Sequence, residues 1–318
     1  MRRAVTVLLA VLTVLLGVPT LVRLYGDRGH VPLTLLVVTL PFMVPLLLVL
    51  LVAQLLLHHR RIAALTAVLL VLDVVWYGPL FVAAGPGSGP ALTVMTANLR
   101  YGGADPFRIV RLVQSQHVDV LATQELTQSA ADDLRGAGLR TELPYFTGTP
   151  DPKSGPDGTG LWSRYPLTAQ QEWSLRFSAP GAVVHTPGGD VLFRAVHAAP
   201  PVADERGVYR SDYDGILRDT RALPRSLPTV VLGDFNATLD NSLLRSLMDG
   251  RFRDAGEKAG SGFLRTWGWA PGSLSLLDLD HVFVDSRFGV RSTAVYNLPR
   301  SDHDALVARL VLTRSGDA

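Results

Sequence analysis

Apolar positions crowd the first quarter of the chain and then thin into short runs separated by polar residues. Residues 5–22 and 31–57 carry no charged side chain, and 62–84 carry a single acid, Asp73. Each run reaches the roughly 20 residues that a helix needs to cross a bilayer. The pattern predicts three transmembrane helices, at about 4–22, 31–57 and 62–84, which together make residues 1–84 a membrane anchor. Arg2 and Arg3 precede the first run as they would in a signal peptide, but the run is long and no small-residue cleavage site follows it. Positive residues at Arg2, Arg3, Arg60 and Arg61, with His58 and His59, belong on the cytoplasmic side. Everything after the third run is then expected outside the cytoplasm, in a multi-pass protein of the cell membrane. Asp73 falls mid-span, where its expected role is structural, protonated or bonded to a neighbouring helix with Gln54 as a candidate partner.

After the hydrophobic quarter, 85–90 reads GPGSGP, a Gly/Pro/Ser linker without helical or strand periodicity. Residues 91–318 then alternate short β-rich runs with amphipathic stretches. Strands are expected at 92–97, 118–123, 160–163, 167–175, 182–185, 191–196, 229–232, 281–284, 292–296 and 305–312. Helices are expected at 105–114, 128–138 and 212–222. One α/β domain of sheets packed between helices accommodates this order.

Charge narrows the partners. Residues 85–318 hold 24 of the 30 Lys and Arg and 26 of the 28 acids, a net of −2, so the basic pI of about 9.0 belongs to the anchor. No strong cationic field is available to grip long nucleic acid non-specifically. Cysteine is absent, which excludes disulfides and thiolate metal sites.

Chemistry-bearing residues recur at the ends of the predicted strands: Asn98, Gln124 and Glu125, His197, Asp234 and Asn236, Asp280 and His281, then Ser301, Asp302 and His303. Singly, each has a turn, cap or packing explanation. Together they supply carboxylates, amides and imidazoles without thiolate, the ligand chemistry that hard divalent cations prefer. Asp234 and Asn236, two apart, point the same way if the strand continues through them.

The motifs TANLRYG, TQELT, AVHAAP, GDFNAT, LDHV and SDHDAL, in that order over about residues 93–312, resemble the endonuclease/exonuclease/phosphatase superfamily, on its deoxyribonuclease-I and sphingomyelinase side. The resemblance implies a four-layer α/β sandwich, two central mostly antiparallel sheets flanked by helices. It implies Mg²⁺, with Mn²⁺ or Ca²⁺ as alternatives, held by Glu125 and Asn98 with Asp302 nearby. Asp234 and Asn236 would orient phosphate, metal or water; Asp280 would hold His303 as base; His197 would donate to the phosphate or act as acid. The implied activity is a membrane-anchored, metal-dependent phosphoesterase, most simply a phosphodiesterase, acting on a phospholipid head group or a nucleic acid. The alternatives are an extracytoplasmic nuclease and an inactive membrane-anchored scaffold. Arg100, Arg164 and Arg194 are candidate phosphate contacts, Trp162, Trp267 and Trp269 candidate cleft or lipid contacts, and residues 148–160 a turn-rich loop near the site.

Overall fold

The structure, a computed structural model, describes residues 2–203, 207–248 and 250–313. Residues 204–206, 249 and 314–318, all within the predicted catalytic segment, lie outside the described residues. The chain forms two compact units, one comprising Met1–Pro79 with Leu239–Arg245, the other Leu80–Thr238 with Ser246–Ala318.

The first unit contains α1 (Arg2–Tyr25), α2 (Val31–Val37), α3 (Leu40–Leu56) and α4 (Arg60–Tyr77). Two helical stretches, Arg2–Tyr25 and Arg60–Phe81, are long and apolar enough to cross a membrane. The second predicted span is not one straight helix: α2 and α3 meet at a 56° bend, and they make a third span only if counted together. Pro41 lies at the start of α3, where its ring and missing N–H disfavour continuation of the preceding helix. The Thr39 hydroxyl donates to the Leu36 carbonyl at the break, 2.7 Å away.

Polar side chains buried in this unit find one another. Gln54 donates to the Thr13 hydroxyl at 2.8 Å and accepts from that of Thr66 at 2.9 Å, linking α1, α3 and α4. Gln54 is therefore not the partner of Asp73; the Thr20 hydroxyl is, at 3.5 Å. The segment Leu239–Arg245 belongs here too: Asp240 accepts from Arg23 and from the Tyr77 hydroxyl, and Asp27 accepts from the Ser242 N–H.

The second unit holds two six-stranded sheets. The first has the order β11 (Phe288–Tyr296), β12 (Ala305–Leu312), β1 (Ala91–Asn98), β2 (Val120–Gln124), β4 (Thr159–Ser163), β3 (Tyr145–Thr149). The second runs β5 (Leu167–Gln170), β6 (Gly181–Thr186), β7 (Gly189–His197), β8 (Thr229–Asp234), β10 (Asp280–Asp285), β9 (Phe252–Asp254). Only the central pairs β1/β2 and β7/β8 are parallel, so the sheets are mostly antiparallel as expected.

Period-two alternation divides each strand between two cores. Leu92 and Val94 of β1 and Val120 and Ala122 of β2 meet Phe193, Ala195, Val230, Leu232 and Val282 between the sheets. Met95 and Ala97 face outward and pack with Ile109, Val110 and Val113 of α5 (Pro106–Ser115) and Leu134 of α6 (Gln128–Gly136). On the second sheet, the Tyr213 hydroxyl of α8 (Val208–Ala222) donates to the Phe235 carbonyl at 2.6 Å. Helices flank both sheets, giving the expected sandwich.

Several predicted boundaries move for local reasons. The helix expected over 128–138 ends at Gly136, and after left-handed Gly138 (φ 104°) the chain restarts as α7 (Leu139–Glu142). The strand expected over 167–175 stops at Gln170, because the Arg194 guanidinium takes the Gln171 carbonyl at 2.6 Å and lies over the Trp173 ring. The short strands β3 and β9 carry too little alternation to be anticipated.

Gly233 fixes the join between β7 and β8. Its φ is 147°, and a Cβ there would lie 1.9 Å from the Val196 carbonyl oxygen. Gly233→Ala is expected to destabilise this unit by about 1–3 kcal/mol from backbone strain alone, and further by parting the two strands. Thermal unfolding followed by circular dichroism should show the lowered midpoint; an unchanged midpoint would contradict the assigned close approach.

Candidate active site

Strand register assembles the site. Asp234, the last residue of β8, pairs in register with His197 on parallel β7 and with Asp280 on antiparallel β10. Asn98 ends β1 opposite Gln124 of β2, so Glu125 follows immediately beyond that sheet's edge. His303 lies just before β12, bridged to Trp267. Six separate segments thus deliver their polar ends to one place.

The contacts there are direct. Asn98 Nδ2 donates to Asp234 Oδ2 at 2.9 Å and to Glu125 Oε1 at 3.1 Å, joining the two sheets. His303 Nε2 lies 3.6 Å and His197 Nε2 3.8 Å from the same Asp234 Oδ2. His197 Nε2 is 4.0 Å from Glu125 Oε1. On its other nitrogen, His303 is hydrogen-bonded to Asp280 Oδ2 at 2.8 Å.

Backbone geometry supports these positions. Glu125 (φ 51°) and Asn236 (φ 50°) both adopt the left-handed conformation, uncommon for non-glycine residues. The turn carrying Glu125 lets its Oε2 accept from the Tyr101 N–H at 2.8 Å. Asn236 donates through Nδ2 to the Ala198 carbonyl at 2.8 Å, and its N–H binds Asp234 Oδ1 at 2.9 Å. It therefore braces the ends of β7 and β8.

Four sequence-predicted members, Asn98, Asp234, Asp280 and His303, form an unbroken hydrogen-bonded or near-contact chain, and Glu125 and His197 close around it. Asp302 is more peripheral: it is partly exposed and lies 3.6 Å from the Arg100 guanidinium. Among the candidate arginines only Arg100 approaches the site in this way. Arg164 is engaged by the Val118 carbonyl and Asp119, and Arg194 by Gln171 and Trp173. Trp162 is a core residue, whereas Trp267 is half-buried and Trp269, packed edge-on against it, is exposed.

Further residues support the site without having been singled out for a role. The Thr266 hydroxyl accepts from the Asp280 N–H at 3.2 Å, and the Ser301 hydroxyl donates to the Asn98 carbonyl at 2.8 Å while accepting from the His303 N–H at 3.1 Å. Phe177 stacks on His197 with ring centroids 4.4 Å apart and planes at 19°. No periodicity marks Phe177, but Ser301 lies inside a recognised motif. His281, adjacent to Asp280, is a structural clamp between Asp254 at 3.1 Å and the Ala237 carbonyl at 3.0 Å. The loop over 148–160 is organised by Asp151, whose carboxylate accepts from the N–H groups of Lys153 and Gly155.

Electrostatics set the chemistry. Burial pushes the Asp234 and Glu125 carboxyls up, and pushes His197 down. For His303, burial opposes the charged form, but Asp280 and Asp234 outweigh it and push the imidazole up to about 10. Glu125, Asp234, Asp280 and Asp302 bring more negative charge than His197 and His303 can balance even if both are protonated. A buried polar atom, Asp280 Oδ1, also has no hydrogen-bond partner.

This donor set fits a hard divalent cation in that carboxylate oxygens dominate it and its excess charge is negative, while the Asn98 amide oxygen is taken by the Arg100 N–H at 2.8 Å. Among the described residues, Asp234, Asp280 and His303 offer donor atoms within 4.8 Å of one another. Asp280 Oδ2 already shares a hydrogen bond with His303, whereas Asp280 Oδ1 is unpartnered, and Asp234 and Glu125 each accept hydrogen bonds on both oxygens.

Comparison with known proteins agrees with the architecture. Residues 95–303 match the Endonuclease/Exonuclease/phosphatase family. No curated protein matches the chain. Among solved structures, an endonuclease/exonuclease/phosphatase family protein from Bacteroides thetaiotaomicron is 18% identical with a TM-score of 0.55, covering 71% of this chain and 100% of its own. The mannosyl-6-phosphatase of Bacteroides thetaiotaomicron VPI-5482 is 19% identical with a TM-score of 0.53, covering 69% and 99%. D. rerio TDP2, solved with a single strand DNA product, is 16% identical with a TM-score of 0.57, covering 69% and 98%. At these identities the likeness is one of fold.

Asp280→Asn is expected to lower the His303 proton affinity, because the carboxylate beside Nδ1 is lost. In chelator-treated protein, the titration of His303 followed by ¹⁵N NMR should move down from about 10 toward the ordinary range near pH 6.5, with His303→Asn assigning the resonance. A midpoint unmoved by the substitution would show that Asp280 does not hold the proton.

Proposed function

The chain belongs to the endonuclease/exonuclease/phosphatase family, and from that premise we propose that it is a membrane-anchored, divalent-metal-dependent phosphodiesterase. Family membership and the oxygen-rich site together support a metal-dependent phosphoester hydrolase in general terms. The observation that carries the finer reading is the convergence of Asn98, Glu125, His197 and His303 on buried Asp234.

Glu125 and Asp234 would hold the cation, with Asn98 Nδ2 fixing both carboxylates and Asp302 farther out against Arg100. When bound, a divalent cation supplies charge neutralisation for the phosphate and the leaving oxygen, and offsets the negative charge that keeps a proton on His303. His303 is oriented by Asp280 through Nδ1, which leaves Nε2 to take the proton from an attacking water. Neutral His197, favoured by burial and stacked on Phe177, turns Nε2 toward Asp234 and Glu125, where it would contact a phosphoryl oxygen. That role fits its lowered proton affinity better than protonation of the leaving oxygen. Asn236, fixed to the Ala198 carbonyl through Nδ2, would steady Asp234 through its own N–H.

The substrate reading favours a phospholipid head group or another surface phosphodiester over nucleic acid, on two grounds. Two helical stretches are apolar enough to span a bilayer, with a third if the bent pair counts as one. The net charge of −2 over residues 85–318 offers no field for a long polyanion. With the bent pair counted as one span, the flanking positive charge supports an outward placement of the hydrolytic unit.

Purified full-length protein in detergent should hydrolyse bis-p-nitrophenyl phosphate with Mg²⁺ and lose turnover on chelation. Glu125→Gln and His303→Ala should each lower kcat by at least about 100-fold in protein that circular dichroism shows to be still folded. Metal-independent turnover, or full activity in His303→Ala, would refute the assignment, and an inert wild-type protein would favour the scaffold alternative. Faster turnover of phospholipid than of plasmid DNA is expected in a substrate panel, and the reverse order would favour the nuclease. A reporter active only outside the cytoplasm, fused after Gly85, should give signal; silence there would reverse the topology.

A further inference from the structure

A cavity of about 300 Å³ opens in the sandwich unit and is lined by Thr220, Arg221, Arg225, Ser246, Gly250 and Arg251 among others. Among the described residues no acid lines it. Arg251 is built into its wall: Nη1 donates to the Leu223 carbonyl at 2.9 Å, and Nη2 to the Pro224 carbonyl at 3.0 Å and the Thr229 hydroxyl at 2.9 Å. Asp285 lies 3.8 Å from Arg251, but it is already held by Arg287 at 2.6 Å. Among the described residues Arg221 and Arg225 have neither an ion pair nor a side-chain hydrogen bond.

A second observation is independent of charge. The Thr220 hydroxyl oxygen is buried and has no hydrogen-bond partner, and the residue as a whole is 5% exposed. Such a group carries a desolvation penalty unless a ligand or water completes it. Guanidinium groups present planar donor forks that match phosphate oxygens, and their charge is permanent. Proximity of Arg225 and Arg287 also presses on the Arg251 charge, after burial the main influence opposing it. An anion in the cavity would relieve that repulsion.

The cavity is not the reaction centre. Thr229, which holds Arg251, opens β8, and Asp234 closes it. Five residue steps of extended strand separate them by roughly 17 Å.

We propose that this arginine-lined cavity is an accessory phosphate-binding site, taking the phosphate of a lipid head group or of a free phosphate anion at the opposite strand end from the reaction centre. The phosphate oxygens bind Arg221 and Arg225, with Arg251 as the fixed wall and the Thr220 hydroxyl as the neutral donor.

Isothermal titration calorimetry on the full-length protein in dodecyl maltoside with chelator tests this, using inorganic phosphate and dihexanoyl phosphatidic acid as probes. Chelation leaves the reaction centre negatively charged, and Glu125→Gln should bind both probes as wild type does. The double variant Arg221→Gln/Arg225→Gln should melt as wild type does but bind at least about tenfold more weakly. Tighter binding of phosphatidic acid than of phosphate would identify a lipid head group as the source, and equal binding a free anion. Absence of binding to either probe, or undiminished binding by the double variant, would overturn the proposal.

Discussion

Burying a carboxylate is unfavourable unless its charge is met, and Asp234 is a carboxylate 1% exposed at the meeting of two sheets. Much of the sandwich unit can be understood as a response to that constraint. Asn98 reaches across from the first sheet to donate to it, the Asn236 N–H donates from the following turn, and two imidazoles face its Oδ2. Glu125 and Asp280 nevertheless add charge that these donors do not offset. A polar pocket arranged in this way is incomplete without a cation.

Strand pairing is what makes the concentration of charge achievable. Parallel β7/β8 and antiparallel β8/β10 place His197, Asp234 and Asp280 in adjacent register, while parallel β1/β2 does the same for Asn98 and the turn to Glu125. A shift of one residue would reverse which face each side chain occupies. Gly233, where β8 passes close to β7, and the left-handed residues Glu125 and Asn236 mark where the backbone gives up local preference for this geometry.

Much of this was legible in the sequence because the relevant chemistry sits at strand ends, where a change from β-branched to polar residues is conspicuous. Asn98, Glu125, His197, Asp234, Asp280 and His303 could be picked out in that way, and the order of their motifs carried the fold. Thr266 and Phe177 could not, since a lone hydroxyl or aromatic ring in an irregular segment has no periodic signature. The bend between α2 and α3 was hidden for a different reason: hydropathy averages over Pro41 and registers only an uninterrupted apolar run. Polarity alone pairs Asp73 with Gln54, whereas the structure gives Asp73 Thr20 and gives Gln54 both Thr13 and Thr66. Nor does sequence distance suggest that Asp240, four residues after Asn236, is held by Arg23 and Tyr77 in the helical unit.

The proposed division of labour between the two histidines rests on neighbours rather than residue type. Asp280 and Asp234 favour the charged form of His303, while burial disfavours it for His197. A cation beside Asp234 weakens the first effect and leaves the second. The most direct test of the account is therefore binding of Mn²⁺ to the full-length protein, followed by electron paramagnetic resonance as free Mn²⁺ is depleted. The account predicts a saturable site in wild type that is lost in Asp234→Asn with the fold retained; equal Mn²⁺ uptake by the two proteins would contradict it.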